Sequence, residues 1–179
     1  MWSSLSGLRR SQLVMLTVFS ALLFCFILAP FTLPAGSVTD LSGTVGGVEN
    51  LDQIEEMNPF AYSIYLFGDA NCHQIAERSY YLNGNVLPVC ARDLGIFTGL
   101  VVGMALLFAT QYRPRFYMII LLVLPMAIDG GVQAVTDYVS NNPLRFATGS
   151  LAGAGGAFFL TYLARELLGG THDRTKSVE

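Results

Sequence analysis

Charge is scarce in this chain: 13% of its 179 residues are Asp, Glu, Lys or Arg, against about a quarter in soluble domains. With 53% apolar residues and a mean hydropathy of +0.50, a soluble domain is excluded, and the length suits one membrane-embedded unit. A net charge of −3, without any long run of Lys and Arg, excludes nucleic acid as a partner. Histidine is confined to His73 and His172, so no Ser/His/Asp set can be assembled. A nucleophile elbow, a phosphate-binding glycine loop and a His-Glu-x-x-His pattern are also missing. A Cys72/His73 nucleophilic pair is disfavoured because the two are adjacent. Three cysteines are too few for a disulfide-framework domain, and Cys25, inside an apolar run, reads as a small buried hydrophobe.

What is present is apolar sequence in four blocks. Ser11 to Leu33 carries no charge, and at about 1.5 Å per residue it exceeds the roughly 30 Å of hydrocarbon that a helix must cross. A cleaved signal peptide is the alternative, but the run is too long for one and no small-x-small cleavage pattern follows. The expected organisation is an N-terminal segment (1–10), a first span (11–34), a loop and cap (35–93), a second span (94–112) and a turn (113–115). A third span (116–138), a second turn (139–145), a fourth span (146–164) and a tail (165–179) complete it. Gly95, Gly99 and Gly103 recur on one face of the second span, and Gly149, Gly153, Gly155 and Gly156 mark the fourth as another close-packing helix.

Basic residues set the expected orientation. With the N-terminus inside, Arg9, Arg10, Arg113, Arg115, Arg165, Arg174 and Lys176 are cytoplasmic, and Arg78, Arg92 and Arg145 lie outside. This places both termini in the cytoplasm, the 35–93 segment outside, and His172 in a solvated tail. Within that segment, Ala35 to Asn50 reads as spacer. Asn58-Pro59 is a helix start, with Asn as cap and Pro at the first position. The aromatic run Phe60 to Phe67 is too short to span and suits the interface. Gly68-Asp69 is expected to break it, with Asn71 capping a second short helix from Cys72 to Arg78. Asn83-Gly84 is a hairpin turn that folds Pro88-Val89-Cys90 back toward Cys72. The fold class is therefore an all-α membrane protein: four transmembrane helices with an extracytoplasmic cap of interfacial helix, short helix and hairpin.

Polar residues gather under this cap. Asp129, inside the third span, costs roughly 2.5–3.5 kcal/mol on insertion scales and so marks a functional or paired position. Arg92 and Arg145 are its structural partners by depth, and Gln133, one turn on, can hydrogen-bond it or share a ligand. The expected pocket comprises Glu77, Arg78, Arg92, Asp93, Asp129, Gln133, Asn142 and Arg145. Cys72 and Cys90 keep three readings. A disulfide would close a loop of about 18 residues and stabilise it by about 3 kcal/mol. A divalent metal such as zinc would take Cys72, His73, Cys90 and Asp129, with Glu77 or Asp93 as alternative ligands. Free, redox-active or palmitoylated thiols are the third.

Four stretches carry a family likeness: Cys72-His73-Gln74 with Glu77-Arg78-Ser79; Pro88-Val89-Cys90-Ala91-Arg92-Asp93-Leu94-Gly95-Ile96; Pro125 through Asp129-Gly130-Gly131 to Gln133; and Ser140-Asn141-Asn142-Pro143-Leu144-Arg145. In this order, over about Asn58 to Gly156, the chain resembles the predicted membrane proteins of domain-of-unknown-function family 2085, found in archaea and bacteria. Such proteins often carry Pro before Glu-Arg-Ser and a further Cys after Ala-Arg, where this chain has Ala76 and Asp93. The resemblance implies where the site lies and brings no reaction with it.

The expected function is an outward-facing polar pocket that binds or transports an ion, a metal or a small anionic group. In it Asp129 would serve a cation or proton, the arginines an anion, and the cysteines would act as clamp or ligands. Two alternatives stand beside it. One is a metal-dependent membrane enzyme acting on an outer-leaflet substrate. The other is an accessory subunit, or a homo-oligomer, docking through the glycine faces of the second and fourth spans. The lipid bilayer is the partner common to all three.

Overall fold

Each apolar block is a helix in the computed structural model, which describes residues 2–43 and 46–175, with side chains over 7–43 and 46–168. The side chains of His172, Arg174 and Lys176 lie outside the described residues. The elements are α1 (Trp2–Leu28) with a 3-10 turn (Ala29–Thr32), α2 (Leu51–Ile54), α3 (Pro59–Asn71), a 3-10 turn (Ala76–Arg78), β1 (Tyr81–Leu82), β2 (Asn85–Val86), α4 (Ala91–Thr110), α5 (Phe116–Val135) and α6 (Asn142–Thr175). Gly7–Thr32, Ala91–Thr110, Phe116–Val135 and Asn142–Leu168 are long and apolar enough to cross a membrane. The chain is an all-α, multi-pass membrane protein.

The ends of the spans are set by side-chain capping as much as by hydropathy. Helix α6 begins at Asn142, within the expected 139–145 turn, because the Asn141 carboxamide accepts from the Leu144 amide at 2.9 Å and proline is tolerated in a first turn. Helix α4 begins at Ala91, after Cys90 at its N-cap, and stops at Gln111 in the left-handed region, φ 51°. Helix α5 stops at Val135, ahead of the expected 138: Thr136 is extended, φ −137°, and its hydroxyl donates to the Val132 carbonyl at 2.7 Å.

The most extensive contact between spans is α4 on α6, and glycine makes it. A Cβ at Gly95 would meet the Phe146 carbonyl, one at Gly99 the Ser150 carbonyl, and one at Gly153 the Ile96 carbonyl. The two glycine faces expected to dock a partner are thus spent on each other within the chain, which corrects the docking expectation for those surfaces. Gly155 turns instead to α5, near Ile119, Leu122 and Val123.

The cap is built on its own apolar core of Ala29, Leu33, Val38, Leu41, Ile54, Ala61, Tyr65, Ala76 and Val86. Ala35 to Asn50 is not idle spacer. Val38 accepts from the Val86 amide at 2.8 Å, Leu41 accepts from the Ala76 amide at 3.1 Å, and Val38 and Leu41 are buried. Asn58 caps α3 as expected, its carboxamide accepting from the amides of Phe60 and Ala61 at 3.1 and 3.0 Å, with Pro59 following. The hairpin pairs Tyr81 with Val86 and Leu82 with Asn85, around Asn83 and Gly84 at φ 54° and 72°, the two positive angles of a type I′ turn.

Helix α3 does not break at Gly68-Asp69; it runs to Asn71, and no second helix spans Cys72 to Arg78. Tertiary contacts override the local signal. At Gly68 an added Cβ would fall on the Pro88 carbonyl and the Gln74 amide nitrogen, so glycine is there to admit the returning chain. The Asp69 carboxylate, 1% exposed, accepts from the amides of Glu49 and Asn50 at 3.0 Å each and from the Asn50 side chain at 2.7 Å.

Candidate functional site at the cap end of the bundle

The site forms where the end of α3 meets the start of α4. After Cys72 the chain turns through Gln74 at φ 44°, whose side-chain amide donates to the Tyr65 carbonyl at 3.0 Å and the Pro88 carbonyl at 2.8 Å. Gln74 is fully buried and pins the Cys72 loop to the strand that returns Cys90. The Tyr65 hydroxyl donates to the Val86 carbonyl at 2.6 Å, and burial holds that phenol well above its usual range.

The clamp brings three ligand-type atoms together: the sulfurs of Cys72 and Cys90 and a carboxylate oxygen of Asp93 all lie within 4.8 Å of one another. The Cys90 amide donates to the Cys72 sulfur at 3.2 Å, and the Cys90 thiol lies 3.4 Å from Asp93 Oδ2. Cys72 is 2% exposed. Its thiol is pushed far above the usual range, first by the hydrogen bond it donates to Cys90 and then by burial. Cys90, receiving that bond, is held below its usual range. Both thiols are free and not at disulfide distance, so the bridge, one of the three readings, is not formed in this structure.

The expected metal set is redistributed. His73 is exposed and outside the triad: Cys72 is extended, φ −133° and ψ 157°, and extended backbone sends successive side chains to opposite sides. Asp129 is 6% exposed and forms an ion pair with Arg92, Nη2 to Oδ2 at 2.7 Å, which occupies the carboxylate as a partner of α4. Asp93, on the first turn of α4, stands in the place expected of those two.

The arginines form a second group beside the first. Arg145, on the first turn of α6, is 3% exposed, and its Nη2 donates to the Gln133 side-chain oxygen at 3.3 Å. Gln133 therefore serves Arg145 and not Asp129. Arg78 and Arg92, of like charge, and Asp129, of opposite charge, lie within electrostatic reach of Arg145. Asn142 donates to the carbonyls of Glu77 and Ser79 at 3.2 and 3.1 Å, tying the start of α6 to the cap, and the Tyr80 and Phe146 rings meet edge-on at 6.3 Å. Glu77 is exposed, and the bond that joins it to the site is made by its backbone. Within this group Arg92 Nε, Arg145 Nε, Asp129 Oδ1, Asn142 Oδ1 and the Ser140 hydroxyl are buried without a hydrogen-bond partner.

Sequence reasoning missed Asn50, Asp69, Gln74 and Ser140. Gln74 stands in the Cys-His-Gln stretch, and its neighbours drew the attention. Asn50 and Asp69 give no local signal, since their partnership spans 19 residues.

The comparisons agree with the composition. A family described as "Predicted membrane protein (DUF2085)" matches residues 72–159, the stretch that holds every residue of both groups. An uncharacterised protein of Methanocaldococcus jannaschii is 38% identical over 103 residues, covering 54% of this chain and 65% of that one. An uncharacterised protein of Methanothermobacter thermautotrophicus is 38% identical over 100 residues, covering 54% of this chain and 89% of that one. The chain thus spans a little under two thirds of the first relative and most of the second. No solved structure matches it.

Proposed function

We propose, from the premise that the chain belongs to the family of predicted membrane proteins DUF2085, that its cap end is an extracytoplasmic seat for an oxyanion, with both termini in the cytoplasm. The orientation rests on the seven basic residues assigned to the inner side against three on the outer. The observation that carries the reading is Arg145. A guanidinium this deeply buried is expected to face an opposite charge. Here the carboxylate nearest to hand, Asp129, is committed to Arg92, and Arg145 is left with a neutral amide and an unpartnered Nε.

With the thiols protonated and the exposed Glu77 left out, Arg78, Arg92 and Arg145 outweigh Asp93 and Asp129 by one positive charge. An anion bound there would neutralise the excess and take up the free Nε–H groups of Arg92 and Arg145. Guanidinium suits this task because its fixed fork of donors matches a phosphate-type oxyanion. The source of that group is either a soluble anion or an outer-leaflet lipid headgroup.

Thermal unfolding in nanodiscs separates the two. In zwitterionic lipid, inorganic phosphate at about 100 times its dissociation constant is expected to stabilise the chain by about 2.7 kcal/mol. In discs containing phosphatidylglycerol, a stabilisation that free phosphate no longer increases would assign the seat to the headgroup. Arg145→Gln is expected to abolish either effect. No response to phosphate or to anionic lipid, or an equal response in Arg145→Gln, overturns the proposal.

A further inference from the structure

Cys72, Cys90 and Asp93 enter the anion seat only through its charge balance, and this second cluster has a geometry of its own. Ligands about 2.0–2.3 Å from a tetrahedral zinc-type ion stand about 3.3–3.8 Å from one another. The three ligand atoms already lie within 4.8 Å, and Cys90 Sγ and Asp93 Oδ2 are 3.4 Å apart. A shift of about one ångström or less closes the set around an ion.

Two further features favour a thiolate-bound cation over a chance gathering of hydrogen bonds. The Cys90 amide, at the N-terminus of the 20-residue α4, donates to the Cys72 sulfur at 3.2 Å, the outer-shell contact that steadies a metal-bound thiolate. Cys90 and Asp93 sit at the N-cap and in the first turn of α4, three positions apart and on one face of the helix, while Cys72 comes from the end of α3. The set therefore joins the cap to the bundle, with its α3-side ligand held by the buried Gln74 clamp.

We propose that Cys72, Cys90 and Asp93 bind a thiophilic divalent cation of the zinc type, which fastens the cap to the start of α4. Two cysteine sulfurs and one carboxylate suit this class of ion, and three protein ligands leave a fourth position for water or another donor. The ion enters as two thiol protons leave, so the local charge is unchanged and the anion seat beside it keeps its single positive excess.

The test uses the full chain, reduced and purified without chelator. Cobalt(II) is expected to bind at one equivalent with thiolate-to-metal charge-transfer absorption, and zinc(II) to remove that absorption. Cys72→Ser and Cys90→Ser should each lose the band, with circular dichroism checking that they remain helical. Asp93→Asn should keep thiolate character and bind at least tenfold more weakly. Arg145→Gln should bind cobalt as the parent chain does, so failure of the anion seat and failure of this site are read separately. A parent chain with no charge-transfer band, or a band that persists in Cys90→Ser, overturns the proposal. So does an intact mass showing Cys72 bridged to Cys90 in metal-free protein purified without reductant. Should the serine variants fail to fold, Asp93→Asn decides, since loss of metal affinity is not expected from a carboxylate that merely accepts from Cys90.

Discussion

Replacing Asp129 by leucine leaves Arg92 facing apolar surroundings without its counter-charge. The pair is direct, 2.7 Å, with side-chain exposures of 5% for Asp129 and 27% for Arg92. Removing one partner of a buried pair costs about 3–5 kcal/mol, and the partial exposure of Arg92 places this case at about 3 kcal/mol. For a chain of this size that lowers the unfolding midpoint by about 6–12 °C. Arg92→Met strands Asp129 instead, and is expected to be milder than Asp129→Leu because the charge of Arg145 also acts on that carboxylate. The double variant, with neither charge left to satisfy, should return to within about 1 kcal/mol of the parent. Thermal unfolding of all four proteins in nanodiscs, followed by near-ultraviolet circular dichroism, gives the coupling directly. Additive losses, with the double variant as unstable as the sum of the singles, would refute the assignment of Asp129 to Arg92.

Two further predictions concern the architecture that holds the site. Gly153→Val pushes a branched side chain into the Ile96 carbonyl and should cost about 3 kcal/mol or more by overpacking. Gly131→Ala, with nothing within 4 Å of the new Cβ, should be neutral or stabilise α5 by up to about 1 kcal/mol; comparing their unfolding midpoints checks both. Asp69→Ala removes the carboxylate that accepts from the Glu49 and Asn50 amides and from the Asn50 side chain, which keeps its bonds to Ser42 and Gln74. It should loosen the cap by about 2–3 kcal/mol, seen as faster hydrogen exchange at those amides with the exchange of α4 and α6 unchanged.

Features encoded over a few residues were readable before any coordinates. The spans follow from hydropathy, the Asn58-Pro59 start from a side chain capping amides two and three positions on, and the Asn83-Gly84 turn from two residues that accept positive φ. The neighbourhood of the site was readable as well, because hydrocarbon tolerates so few charges that Arg92, Asp129 and Arg145 had few places to go. What stayed hidden was set by distant partners. Gly68-Asp69 looks like a helix break until Pro88 and Asn50 arrive beside it. Gln133 looks like a partner for Asp129 until Arg145 comes within reach. His73 looks like a ligand until the extended backbone at Cys72 puts the two side chains on opposite sides. The glycine faces announced close approach and could not name the helix approached.

That approach sets what can move. Where α4 and α6 meet, glycine places one helix on the other's backbone carbonyls, so neither can rotate or slip by a residue without a steric collision. Arg92 and Arg145 ride on this stiff double rail, and the spacing between their backbone positions is fixed by main chain rather than by the surrounding lipid. Helix α5, which carries Asp129 and Gln133 and offers most of its flank outward, is the looser member. A change in what the arginines hold would therefore register as a tilt of α5 against an unmoving frame.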